Sequence, residues 1–168
     1  MAVAPLIFSL DPESLGPAHL KVAGLELWVH DRRSPEAQDY WEGNWLVVTV
    51  RCAADGATIW TTGALLRVPD LARWAAALDR LHQRPEGVGV GVGVATLTSD
   101  EPNLTAVIRS TERTGDLQLV VDITPDPLTQ EHRLRFAVER SELPDLVQQC
   151  RGIVKAYPVR DPDGAHDA

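Results

Sequence analysis

At 168 residues, 44% of them hydrophobic and 24% charged, the chain is long and apolar enough for one self-sufficient core. That excludes wholesale disorder and any need for a metal or disulfide framework. Sixteen basic residues against twenty-four acidic ones leave a net charge of −8. This sign argues against nucleic acid or an anionic membrane as partner, and suits solubility or a basic protein partner.

Residues 1–20 mix Pro5, Pro12, Gly16 and Pro17 with small apolar residues and read as a loosely docked arm. Met1–Leu10 has no basic start and is interrupted by Pro5, so it does not read as a signal peptide. No run approaches the roughly 20 apolar residues of a membrane span. The folded domain is expected over 21–157. Its first strand is Val22–His30, where Leu25, Leu27 and Val29 alternate with Glu26, Trp28 and His30. A polar loop over 31–39 leads to a Val-rich strand, Trp45–Cys52. Asp55-Gly56 then turns the chain into a strand over Ala57–Leu66. Pro69 ends that strand and Asp70 is placed to cap a helix through His82, with Leu71, Trp74, Ala75, Leu78 and Leu81 on one stripe.

A Gly-Val repeat over 87–94 follows. It lacks the GxxxxGK[ST] spacing of a phosphate loop and reads as an extended entry to a strand at 95–98. Further strands are expected over Leu104–Ser110, Leu117–Thr124 and Arg133–Glu139, the first two joined by a turn at 112–116. Ser141 is placed to cap a last helix reaching residue 155, with Leu143, Leu146, Val147, Cys150 and Val154 on its apolar side. Residues 158–168 read as a mobile tail. The expected fold is α+β: a largely antiparallel sheet of about six strands covered by two amphipathic helices.

Chemistry is sparse. His19, His30, His82, His132 and His166 form no HExxH and no close His-Cys cluster, so no metal site is assigned. No GxSxG elbow marks a nucleophile, and no carboxylate pair stands out. Glu112, Asp116 and Asp122, with Glu26 or Asp39, read as a solvated acidic surface. No catalytic residue or cofactor is assigned. Cys52 and Cys150 fall on apolar phases and are expected as free, buried thiols in a reducing cytoplasm.

The informative stretch is DYWEGNWL, residues 39–46, where three aromatic rings and two acids meet a buried strand. Trp28, His30, Trp45 and Trp60 fall on the polar phases of their strands, and Trp41 lies in the adjacent loop. Neighbouring strands could gather these rings, with Asp39, into a protein-binding patch. The competing reading is that a helix covers them as core.

Asp39, the run Gly43-Asn44-Trp45-Leu46, the Val-rich strand, and Trp60 and Gly63 ahead of a helix beginning VPDLARW together resemble the WapI-like immunity family of small bacterial proteins. The order of elements over 22–155 is similar to that of the family; the Gly-Val repeat and the Pro-containing tails depart from it. The resemblance implies that Gly43, Asn44 and Leu46 mark the fold. It also implies a cytoplasmic inhibitor that binds the toxic C-terminal domain of a secreted or contact-delivered toxin. The expectation is a non-catalytic binding protein, monomer or homodimer, with a basic toxin domain as partner. Two alternatives stand beside it. One is a small-molecule-binding protein or small enzyme with a pocket lined by Trp28, Trp60 or Trp74. The other is an assembly protein that pairs through an exposed strand, with the Gly-rich one as candidate.

Overall fold

A computed structural model of the chain describes residues 11–84, 93–111 and 116–166, the side chains of residues 165 and 166 excepted. Residues 1–10 of the arm, most of the Gly-Val repeat, and Glu112 with the turn at 112–115 lie outside the described residues. The chain runs β1 (Leu20–Val22), β2 (Leu25–Arg32), β3 (Trp45–Ala54), β4 (Ala57–Arg67), α1 (Val68–Gln83), β5 (Val94–Thr98), β6 (Leu104–Ser110), β7 (Leu117–Ile123), β8 (His132–Val138) and α2 (Leu143–Ala156).

The α+β class with antiparallel strands and two helices stands, but the single sheet of about six strands does not. Among the described residues there are eight strands in two four-stranded sheets, ordered β1-β2-β3-β4 and β5-β6-β7-β8. Two physical reasons account for the difference. The stretch read as one strand from Val22 folds back at Ala23-Gly24, where Ala23 takes the left-handed conformation at φ 48° and Val22 pairs with Leu25. Alternation also fixes which face a residue occupies, not which strand it pairs with. With α1 between them, the strands of each block pair only with one another among the described residues.

The two blocks are repeats. The helix start Val68-Pro69-Asp70-Leu71 recurs as Leu143-Pro144-Asp145-Leu146, 75 residues on, and each follows a four-stranded sheet. In α1 the aspartate is not the cap expected of it. The helix begins two residues earlier, and Asp70 reaches back to accept the backbone N–H of Arg67 at 2.8 Å. Nor does Ser141 cap α2; it lies in a 3-10 turn, Arg140–Glu142, that leads into the helix.

Each helix packs on the first strand of the other repeat: α1 along β5, α2 along β1, and the helices on each other. The Trp74 indole N–H donates to the Ala95 carbonyl at 3.4 Å, and Gln149 Oε1 accepts the Lys21 amide at 2.6 Å. Arg151 and Asp79 join the helices at 2.9 Å. Arg140, leading into α2, donates to the Leu81 carbonyl at the C-terminus of α1 at 2.7 Å, where a cation offsets the helix dipole. The inward faces of both sheets and both helix stripes share one core. Cys52 and Cys150 lie in it as free thiols, and burial pushes both pKa values up to about 12. Among the described residues no helix is long and apolar enough to cross a membrane.

Candidate functional site

The pairing register places Trp28, Thr49 and Thr62 in one row across the outward face of the first sheet, and Glu26, Arg51 and Trp60 in the next. Trp45 lies on the same face of β3, about six residues and ~20 Å along the strand from Arg51. The tryptophans therefore form two groups at opposite ends of this face, rather than one patch.

The first group is built around Trp28. It is only 4% exposed, and its indole N–H donates to the Gly16 carbonyl at 3.0 Å. His19 accepts the Val29 amide through Nδ1 at 3.0 Å, so residues 16–19 run over the start of this face. Beside Trp28, His30 Nε2 and Thr49 Oγ1 are hydrogen-bonded at 2.8 Å, and Thr49 bonds Thr62 Oγ1 at 2.7 Å. This polar row satisfies the fully buried Thr49 hydroxyl. Burial, and then the charge of His19, lowers the His30 pKa. Trp60 is partly exposed at the β4 edge.

The second group is the loop over 33–44, held at nearly every residue. Asp39 Oδ1 accepts the backbone N–H groups of Trp41 at 2.9 Å and Glu42 at 2.8 Å, and the Asp39 carbonyl accepts Gly43 N–H at 3.1 Å. Gly43 is required by space: a Cβ there would stand 2.5 Å from the Asp39 carbonyl oxygen and 2.6 Å from that of Ala37. The buried Asn44 amide donates to the carbonyls of Tyr40 at 2.8 Å and Arg160 at 2.9 Å. Arg32 donates to the carbonyls of Gly43 and Pro158, each at 2.5 Å, and Arg160 donates to that of Ala37. Residues 158–160, assigned to the tail on sequence, are thus bonded into the base of this loop.

Arg67 closes the arrangement. Its guanidinium carbon lies 5.9, 5.1 and 5.6 Å from the ring centres of Tyr40, Trp41 and Trp45, in the range of cation–π attraction. Tyr40 and Trp41 meet edge to face at 5.3 Å. Asp100 Oδ2 lies 3.1 Å from Arg67 Nη2 and the buried Asp70 Oδ2 3.8 Å from Nε, while Nε and Nη1 are buried without a hydrogen-bond partner. Tyr40 and Trp45 are buried, whereas Trp41 is 42% exposed. In the same loop Glu36, Asp39 and Glu42 are exposed, as are Asp31 and Arg33 where the loop begins.

Trp41, Trp45 and Asp39 thus come together; Trp28 and His30 lie apart, and Trp60 farther along. Reasoning from sequence missed Arg32, Tyr157, Arg160 and Arg67. Only Arg67 left a trace, as a lone cation closing the apolar run ALLR before the helix. Leu46 is fully buried in the core. Of the tryptophans expected to line a pocket, Trp74 is fully buried. An open groove of about 560 Å³ lies between α1 and the end of α2, lined by Ala72, Ala76, Val154, Lys155 and Val159 among others and by none of Trp28, Trp60 and Trp74. Among the described residues no group of three or more His, Cys, Asp or Glu is placed to hold a metal ion.

No curated protein matches this sequence. Among solved structures, the crystal structure of WHY1 from Arabidopsis thaliana is similar at 12% identity and a TM-score of 0.38, over 83% of this chain and 82% of that one. The family model of the WapI-like immunity proteins matches residues 19–158. That span takes in both repeats, the loop over 33–44 and Pro158 at the loop's base, and the chain belongs to the WapI-like immunity protein family.

Proposed function

We propose that the chain acts in the cytoplasm as a stoichiometric inhibitor, binding a basic toxin domain through the tip of the loop over 33–44. The observation that carries this reading is Trp41. It is a large ring, 42% exposed, on a backbone fixed by Asp39, Asn44, Arg32 and Arg160. A rigid aromatic anchor loses little entropy on binding, and tryptophan is over-represented among residues that dominate interface energy. The loop also exposes Glu36, Asp39 and Glu42, and negative charge on it would accelerate encounter with a basic surface. Asp39 already serves two backbone amides, so its role is to shape the loop as well as to charge it.

The test is titration calorimetry of the full chain against the toxin domain encoded beside its gene. One-to-one binding is expected, with an association rate that falls as salt is added. Trp41→Ala should weaken binding by about 2 kcal/mol or more. An absence of binding, or a Trp41→Ala variant that binds like the parent, would overturn the reading.

A further inference from the structure

Two four-stranded sheets have four edges, and three of them are guarded. β1 is three residues long, and α2 takes its Lys21 amide through Gln149. β5 lies along α1, which takes its Ala95 carbonyl through Trp74. β8 carries Arg133 and Arg135, both exposed, and charge of this kind discourages pairing at an edge.

β4 has none of these devices. It is eleven residues long, and among the described residues it pairs on one side only, with β3. From Ala57 to Leu66 it has no charged residue and no proline, and its register is regular from Ala57 to Ala64, shifting only at Leu65. Ala57 and Thr58 are exposed, and every residue from Ile59 to Ala64 is partly exposed. A long, uncharged edge whose outer N–H and C=O groups meet no second strand among the described residues is a template for another strand.

We infer that two copies of this chain pair antiparallel through their β4 strands, joining the two first sheets into one. Charge selects the occupant. An uncharged edge suits a strand that is itself uncharged, and β4 is one: paired antiparallel, the Ala57–Leu66 stretches of two copies meet with no charge on either side to overcome, despite the net −8 of each chain. A basic partner strand would find no carboxylate there to recognise. Self-pairing also covers Trp60 and Ile59, which the monomer leaves partly exposed. Trp41 stacks on Arg67, the last residue of β4 and just beyond the Ala57–Leu66 stretch. The Trp41→Ala variant leaves the β4 backbone edge unaltered and separates dimer formation from toxin binding.

Sedimentation velocity of the full chain across a concentration series should show a reversible dimer. Hydrogen exchange should slow in the β4 amides as the dimer fills, by about tenfold or more, and no other strand should respond as strongly. The double variant Thr58→Lys, Ala64→Lys places four added cations along the paired edges and should remain monomeric with its melting transition intact. A chain that is monomeric at every concentration, or a dimer whose β4 amides exchange equally fast at low and high concentration, would overturn the inference. So would a folded double-lysine variant that still dimerises. If the lysines unfold the chain, the exchange measurement on the unmodified protein decides alone.

Discussion

Asn44 grips Arg160 from both sides. Its Oδ1 accepts the Arg160 amide and its Nδ2 donates to the Arg160 carbonyl, each at 2.9 Å, across 116 residues of sequence. A side chain here imitates a strand partner, and its amide reaches the Tyr40 carbonyl as well. Removing it leaves three backbone groups to find water in a buried corner. Asn44→Ala should therefore cost about 3 kcal/mol, read from urea denaturation. Asn44→Asp should cost more at neutral pH, because it turns a carboxylate toward two carbonyl oxygens. An aspartate variant as stable as the parent would contradict this role.

Leu46 and Trp41 lie five residues apart and should behave as opposites. Leu46 is fully buried, so Leu46→Ala should lower stability by roughly 2–5 kcal/mol through lost burial and the cavity left behind. Trp41 has a wet face, and Trp41→Ala should lower stability by about 1 kcal/mol or less. Thermal melts of the two variants, run side by side, check the contrast.

Arg67 is costly to bury with Nε and Nη1 lacking hydrogen bonds, and the Asp70 carboxylate 3.8 Å from Nε and the three rings around it offset that cost through charge and cation–π attraction. Arg67→Met keeps the volume but takes a cation from the buried Asp70 carboxylate, which retains Arg73 and the residue-67 backbone N–H, so it should cost about 1–2 kcal/mol. Arg67→Ala leaves the rings unsupported and should cost about 2–4 kcal/mol. The Asp100 side chain is 63% exposed, and Asp100→Ala should cost less than about 1 kcal/mol. A methionine variant as damaged as the alanine one would show that the charge, rather than the packed volume, is what matters.

His30 should give the fold a pH dependence. Its folded pKa is lowered from 6.5 by burial and by His19, so above 6.5 both states hold it neutral and its contribution is fully present. As pH falls below 6.5 the unfolded chain takes up the proton first, and stability drops until the folded pKa is passed. Denaturation midpoints measured between about pH 5 and 8 should rise with pH, and His30→Gln should flatten that rise. An unchanged slope in the variant would assign the effect elsewhere.

Much of the fold was legible because local chemistry dictates it. The hairpin at Asp55-Gly56 forms where expected, with Ala54 facing Ala57 and Gly56 at φ 79°. The stripe from Leu71 to Leu81 is buried along its length. Non-local features left no such mark. Ala23 gives no turn signal, so the first hairpin was hidden. Whether Trp28 is surface or core depends on Gly16, and whether the loop is rigid depends on Arg160; neither contact has a local pattern. The shared start of the two helices was in plain view, but four residues carry weight as a repeat only once four strands are seen before each.

The exchange of helices between the repeats bears on how the chain folds. Neither half can shield its own helix stripe, so neither is a folding unit, and the decisive contacts must span the two repeats. High contact order of this kind slows folding and leaves apolar surface open for longer on the way. Fragments 11–84 and 93–166, made separately, should each show weak, uncooperative circular-dichroism melts, and mixing them should restore a single sharp transition. The peptide link between the repeats then serves chiefly as an effective concentration.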